Sequence, residues 1–179
     1  MSWEVSKIEV IDLTMPLESG MPVFPGDPPV KIDRIHTYQE NGWELRSLQF
    51  GSHTGTHVDA FSHMHQGAEN LDQIPLEQFF GPAYLVEKGE ALPRNSGLIF
   101  QEEVDETQLQ AILDVQPKFV GGNISESLER ALLKHRILTY TNLVHLERLP
   151  KGKPFMFYGF PLKIKAGDGS PVRAIAIIE

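Results

Sequence analysis

Five residues that can bind a metal ion are concentrated in one short stretch of the chain. Four of the seven histidines and one aspartate fall within thirteen residues, namely His53, His57, Asp59, His63 and His65. Imidazole nitrogen and carboxylate oxygen bind divalent metals at about 2 Å, so the donor atoms of one site must lie within roughly 3–4 Å of each other. This clustering of metal-binding residue types therefore predicts a divalent metal site in this stretch.

The spacing of His53, His57 and Asp59 decides what backbone such a site needs. A straight strand would place His57 about 13 Å beyond His53, which is too far for one shared ion. A continuous helix would align the two histidines, but it would turn Asp59 to another face. The chain must therefore bend, and we expect a loop that curls around the ion, with Gly51 and Gly55 supplying the conformational freedom.

Three protein ligands leave a coordination position for water, which is the pattern of a catalytic zinc site. His63 follows the three candidate ligands closely in the sequence. An imidazole with a pKa near neutrality can take a proton during attack by water and return it to the leaving nitrogen. We therefore predict that His63 is the general acid and base of a hydrolase, and we expect His65 to be an exposed residue.

The composition excludes several other classes of protein. The chain has 179 residues and is expected to form one domain over residues 1–179. It contains no cysteine, which excludes disulfides, thiolate zinc ligands and a cysteine nucleophile. The net charge of -8 disfavours binding to nucleic acid or to anionic lipid, so a small-molecule substrate is expected. No apolar run is long enough to span a membrane and residues 1–5 lack a secretory pattern, so we expect a cytoplasmic protein.

The rest of the pattern predicts the elements that position these residues. Stretches rich in β-branched and aromatic residues predict strands at 8–13, 44–50, 83–86, 119–121, 155–160 and 172–178. Apolar residues at helical spacing predict helices at 105–115 and 125–135, the second with Ser125 as its N-cap. Glycine and proline predict connections at 21–29 and 89–97 and a tight turn at 167–171. We therefore expect an α/β or α+β domain with a mixed sheet, and we expect Trp43, Phe79 and Phe80 to lie in its core.

Residues 53–63, HTGTHVDAFSH, resemble the His-x-Gly-Thr-His-x-Asp-x-Pro-x-His motif of the cyclase family, which includes bacterial kynurenine formamidases and isatin hydrolases. The resemblance extends to residues 11–14, 20–27, 70–77 and 162–173 and covers most of the chain. It implies an α/β fold of the swivelling β/β/α type, with a mixed, barrel-like sheet and flanking helices. It also implies hydrolysis of a small amide, formamide or lactam by a homo-oligomer, a dimer or tetramer, with sites near the subunit contacts.

The resemblance also implies a role for particular side chains. It makes His53, His57 and Asp59 ligands of a first ion, with Asp59 able to bridge to a second ion. It makes His63 the catalytic proton shuttle. Phe24 matches a position where relatives place an aromatic residue, often Trp, that lines the substrate pocket. Phe24 would keep the stacking surface and lose the indole donor, although its loop can also be interpreted as a rigid connector.

The chain departs from the family pattern at several positions. Phe61 replaces the proline of the motif, and the segment 87–119 is shorter than in typical relatives. Glu129 stands where a second-ion histidine is usual, and Thr141 stands where a second-ion glutamate is usual. Glu129 can still bind a metal through oxygen, whereas neutral Thr141 is a poor zinc ligand. The resemblance therefore implies one ion, with a second ion depending on Glu129.

Three hypotheses follow from the sequence. The leading hypothesis is a metal-dependent hydrolase that uses zinc, or manganese, which accepts the same donors. The second is a non-catalytic homologue that binds metal or ligand after losing the second ion. The third is a structural zinc site closed by a fourth protein ligand, either His65 or Glu129.

Overall fold

The computed structural model describes residues 8–87 and 89–178. Its main element is a nine-stranded mixed β-sheet. The strands are β1 (Glu9–Asp12), β2 (Lys31–His36), β3 (Leu45–Gln49), β4 (His57–Asp59), β5 (Phe80–Val86), β6 (Gly97–Val104), β7 (Phe119–Ile124), β8 (Leu138–Thr141), β9 (Phe155–Tyr158), β10 (Gly169–Pro171) and β11 (Ile175–Ile178). The order in the large sheet is β1-β11-β9-β5-β6-β7-β8-β4-β10, and β2 and β3 form a separate antiparallel hairpin.

Two crossover units build the parallel part of the large sheet. The α-helices are α1 (Tyr38–Asn41), α2 (Leu109–Val115) and α3 (Glu126–Lys134). Strands β5, β6, β7 and β8 pair in parallel, and α2 and α3 form the connections from β6 to β7 and from β7 to β8. The predicted N-cap of α3 is confirmed, because the Ser125 Oγ accepts a hydrogen bond from the Leu128 N–H at 3.2 Å.

The sheet separates two layers of buried side chains. Consecutive residues of a strand point to opposite faces, so Leu98 packs in the layer beneath α2 and α3 while Ile99 packs in the opposite layer. Likewise, Val120 packs in the layer beneath α2 and α3, and Phe119 packs in the opposite layer. Both faces of the central strands are therefore covered, and this agrees with their sequences, which are short continuous apolar runs.

The two ends of the sheet approach each other. Thr14, just after β1, forms an antiparallel bridge with Leu143, just after β8. The Val144 N–H donates to the Leu13 carbonyl at 3.0 Å beside this bridge. These contacts between the β1 end and the β8 end make the sheet barrel-like, and the predicted α/β class with a mixed sheet and flanking helices is confirmed.

The structure corrects several predicted elements. The pattern does not predict β4, β8 or β10, because strands of three or four residues are too short to show alternation. It also does not predict β2, which is largely charged and exposed, or β6, which ends in charged residues. The tight turn predicted at 167–171 is wrong in its second half, since Gly169–Pro171 pairs with β4. Phe79 is buried as predicted and Phe80 is half-buried, but the core prediction is wrong for Trp43, which is 55% exposed.

Among the helices in residues 8–87 and 89–178, none has the length and apolar character needed to cross a bilayer. Residues 1–5, where the sequence lacks a secretory pattern, lie outside the described residues.

Gly122 in β7 is expected to be intolerant of any side chain. Its φ is +94°, and a Cβ there would lie 2.1 Å from the Phe100 carbonyl oxygen. We expect Gly122→Ala to reduce the free energy of unfolding by at least about 2 kcal/mol, because strain and a backbone clash add together. Urea denaturation followed by circular dichroism measures the change.

Gly152→Ala is the matched control for this substitution. Gly152 also has a positive φ, of +64°, but a Cβ there meets no atom within 4 Å. Its cost should stay near about 1 kcal/mol. Equal costs for the two variants would contradict the assignment of the larger effect to the contact with Phe100.

Candidate metal centre

Strand β4 sets the direction of two candidate ligands. It lies between β8 and β10. On the β8 side, His57 pairs with Thr141 and Asp59 pairs with Thr139 in the register of the two strands. On the other side, Asp59 pairs with Gly169. Because alternate residues of a strand share a face, His57 and Asp59 point to the same side of the sheet.

A bend at Gly55 brings His53 beside β4. Gly55 has a φ of +63°, a backbone conformation that favours glycine, and a Cβ there would also push against the Leu17 side chain. The predicted bend is present. The expected loop is nevertheless wrong in its second half, because His57 and Asp59 pair with β8 and β10 and are therefore strand residues.

The three predicted ligands lie together in space. His53 Nδ1 is 2.7 Å from Asp59 Oδ1, and His57 Nε2 is 3.4 Å from the same oxygen. One donor atom from each of the three residues lies within 4.8 Å of the others. His57 Nδ1 donates to the Gly55 carbonyl at 2.7 Å, which leaves Nε2 facing the shared space. This donor set fits a divalent ion of the zinc type.

The charge balance around Asp59 also fits a cation. Asp59 is 0% exposed. Burial opposes its charge most strongly, but the hydrogen bonds from His53 and His57, with further contacts to its carboxylate, hold the pKa of Asp59 below its usual range. Burial likewise disfavours a charged His53, yet hydrogen bonds to Asp59 and Asp168 raise its pKa to about 9. A buried carboxylate at this position needs a positive charge beside it.

Thr139 supports the buried carboxylate from β8. Its hydroxyl donates to Asp59 Oδ2 at 2.9 Å and lies 3.2 Å from Glu129 Oε1. The pKa of Glu129 is raised to about 9, first by burial and then by the negative charge of Asp59. Glu129, on α3, therefore belongs to the hydrogen-bonded surroundings of Asp59.

The residues at the two altered second-ion positions both lie near the three ligands. Thr141 Oγ1 is 2.9 Å from His57 Nε2. Glu129 is in neither of the two groups of close donor atoms that the described residues form. A role for Glu129 as a metal ligand therefore stays a prediction.

His63 packs against the face of the His53 ring. It ends the short 3-10 helix Phe61–His63, and its ring centroid is 3.8 Å from that of His53. Burial, followed by the positive charge of His53, lowers the pKa of His63. A neutral imidazole is the form that can accept a proton. His65 is separate from this group, because its Nε2 bonds to the Arg130 carbonyl at 2.7 Å.

The structure places Phe24 in an exposed turn. Its side chain is 67% exposed, and its carbonyl accepts a hydrogen bond from the Asp27 N–H at 3.0 Å. Pro28, in the same loop, approaches Gly51, so the loop passes close to the segment that contains His53. A role for Phe24 in binding substrate stays a prediction.

Two site residues are not predicted from the sequence. Asp168 lies with Oδ2 at 2.9 Å from His53 Nε2, and Thr139 contacts Asp59. Both are distant in sequence from the histidine-rich stretch, and the fold alone brings them there. The available signal for Asp168 was its position between Gly167 and Gly169 in the segment 162–173, which resembles the cyclase family.

The chain is similar to known proteins over almost its whole length. The model of the Cyclase family matches residues 11–120. A kynurenine formamidase of Salinibacter ruber is 28% identical over 93% of this chain and 96% of the relative. An uncharacterized protein of Methanocaldococcus jannaschii is 31% identical over 96% of this chain and 100% of the relative. The structure of isatin hydrolase A from Labrenzia aggregata superposes with a TM-score of 0.84 at 19% identity, covering 96% of this chain and 94% of that one.

Thr139→Val tests the support of Asp59 by the hydroxyl group. Valine keeps the shape of threonine and removes the donor, so the buried carboxylate loses one hydrogen bond. We expect a loss of about 1–3 kcal/mol in the free energy of unfolding of the metal-free protein. Chemical denaturation measures it. Thr107→Val is the control, because its hydroxyl bonds to Asp105 at the surface, where water can replace it. An effect no larger than that of the control would contradict the role of Thr139.

Proposed function

Since this chain belongs to the Cyclase family, we propose that it is a metal-dependent hydrolase that cleaves the carbon–nitrogen bond of a small formamide, amide or lactam. The observation that carries the proposal is the close set of donor atoms on His53, His57 and Asp59. The names of relatives, a kynurenine formamidase and an isatin hydrolase, support the class of bond.

We assign one divalent ion, most simply zinc, to these three residues. When bound, such an ion lowers the pKa of a water ligand and polarises a substrate carbonyl. The residues around it hold the ligands in place: Gly55 fixes the tautomer of His57, and Thr139 fixes Asp59. The site is open to a fourth, non-protein ligand, since three donors do not close a tetrahedral site.

His63 is the proton carrier in this proposal. Its lowered pKa keeps the ring neutral near pH 7, so it can accept the proton of the attacking water. The same ring then protonates the leaving nitrogen, which makes the amine a better leaving group. His63 lies in ring contact with His53 and outside the three-ligand set, so it can act without giving up a metal bond.

A non-catalytic binding protein is the second candidate. Thr141 favours it, because a neutral hydroxyl lies 2.9 Å from His57 Nε2 at the position where relatives are expected to carry a glutamate ligand. A second ion would then depend on Glu129 alone. The two candidates differ in what His63 contributes, and the variant described next separates them.

His63→Ala should strongly reduce turnover without releasing the metal. We expect kcat to fall by about 100- to 10,000-fold, because general acid and base catalysis is lost. Hydrolysis of a panel of aryl formamides, lactams and small esters by the zinc-loaded protein gives the rate, and elemental analysis gives the metal content.

His135→Ala is the matched control for this variant, since His135 is exposed at the end of α3. It should leave both readouts at the wild-type level. No hydrolysis of any panel member by the wild-type protein would overturn the enzyme proposal. Ligand binding that survives in His63→Ala while neither protein turns over would favour the binding protein.

We also propose that the chain is a homo-oligomer in which the hairpin β2–β3 is covered by a second copy. All five residues of β3 are exposed, and consecutive residues of a strand point to opposite faces, so both faces of β3 are uncovered. An isolated two-stranded hairpin is only marginally stable in water. The large apolar side chains exposed on the hairpin and its connection are Ile35, Tyr38, Trp43, Leu45 and Leu48. Together they expose on the order of 500 Å² of apolar surface, a large part of the ~800 Å² that one partner contributes to a standard interface.

Replacing two of these apolar residues should lower the assembled mass. We expect the double variant Ile35→Thr, Leu48→Thr to shift toward a single chain in size-exclusion chromatography with light scattering, because it removes apolar contact while threonine keeps a high β propensity. The control Lys31→Thr, Gln49→Thr changes a polar pair that is in register on the same hairpin. A wild-type monomer, or equal masses for both variants, would contradict the proposal.

A further inference from the structure

Asp168 joins two histidines whose roles differ. Its Oδ2 is 2.9 Å from His53 Nε2 and 3.6 Å from His63 Nδ1. The other nitrogen of His53, Nδ1, faces Asp59 at 2.7 Å. The ring of His53 therefore lies between two carboxylates, one inside the proposed ligand set and one outside it.

The backbone around Asp168 is shaped to hold this contact. The Asp168 carbonyl accepts a hydrogen bond from the Ala60 N–H at 2.9 Å, next to the end of β4. Gly169 follows and pairs with Asp59. A Cβ on Gly169 would lie 2.3 Å from His53 Cε1, so the main chain here packs directly against the imidazole. The turn thus supplies both a wall and a hydrogen-bond acceptor to His53.

We infer that Asp168 is a positioning residue that fixes the orientation and tautomer of His53 for metal binding and orients His63 beside it. Its carboxylate accepts a hydrogen bond from His53 Nε2, which directs Nδ1 to the ion. A ligating histidine that donates its other N–H to a carboxylate is held in orientation and is made more basic. The inference rests on the proposed function, in that it takes His53, His57 and Asp59 as the ligands.

Because the Asp168 side chain is partly exposed, a role in positioning His53 can be distinguished from a role in the packing of the core. The side chain is 48% exposed, so its removal leaves no cavity in the core. A second arrangement must be distinguished, because His53, His63 and Asp168 also bring one donor atom each within 4.8 Å of the others. In that arrangement Asp168 would itself bind the ion.

Zinc affinity of Asp168 variants tests the inference without relying on activity. Competition with a chromophoric chelator gives the dissociation constant, and elemental analysis gives the stoichiometry. We expect Asp168→Ala to weaken zinc binding about 10- to 100-fold at unchanged stoichiometry. Asp168→Asn, which keeps an oxygen acceptor, should weaken it less.

Asp72→Asn is the control, because Asp72 accepts a hydrogen bond from the Ala166 N–H in the same turn and carries the same charge. It should leave the affinity unchanged, and circular dichroism should show that the metal-free Asp168 variants keep the folded secondary structure of this control. In the zinc-loaded wild type, ¹⁵N NMR should find the proton of His53 on Nε2.

The measurements distinguish a failure of the positioning role of Asp168 from a failure of the metal centre itself. Wild-type affinity in both Asp168 variants, or a proton on Nδ1 of His53, would overturn the positioning role while leaving the metal centre intact. Complete loss of zinc from Asp168→Ala and Asp168→Asn would make Asp168 a ligand and overturn the inference. A wild-type protein that binds no zinc would overturn the metal centre, and the inference with it.

Discussion

The buried carboxylate of Asp59 is the constraint on which the site depends. It is 0% exposed, yet it carries a charge that burial disfavours. Hydrogen bonds from His53 and Thr139 stabilise it, and β4 holds it between two neighbouring strands. A divalent cation is the natural partner of such a group, because it supplies the positive charge that an isolated buried carboxylate lacks.

Pairing between strands that are far apart in the sequence holds the residues around Asp59 in place. Strand β4 has only three residues, so its geometry depends on β8 and β10 on either side. The strands bring Thr139 and Asp168 to Asp59 and His53 across sequence separations of 80 and 115 residues. The crossover helix α3 adds Glu129 from a further direction. Elements that are far apart in the chain therefore define the environment of a locally encoded motif.

The parts of the site that are local in sequence are the parts that the sequence predicts. His53, His57 and Asp59 lie within seven residues, and their spacing correctly predicts a bend, which Gly55 provides. Their roles as ligands, and the role of His63 as a proton carrier, stay predictions. The α/β class and the membership of the Cyclase family are confirmed, whereas the single domain over residues 1–179 stays a prediction.

The positions of residues that depend on contacts between distant segments could not be predicted from local sequence patterns. Asp168 looks like a turn residue because glycine flanks it on both sides, and only the pairing of β10 with β4 brings it to His53. Trp43 is a large apolar residue of the kind that cores contain, but it lies between β2 and β3, which form a sheet separate from the large one, and it is exposed. Sequence patterns report which residues prefer burial, and they do not report which surface, or which copy of the chain, buries them.

The central claim is tested most directly by the metal content of the purified protein. Wild type and His57→Ala would be loaded with zinc, dialysed against metal-free buffer and measured by elemental analysis with X-ray absorption at the zinc edge. The account predicts one zinc per wild-type chain, bound by nitrogen and oxygen donors with two histidines and a position left for water, and little or no zinc in the variant. Equal retention by both proteins, or no zinc in the wild type, would contradict it.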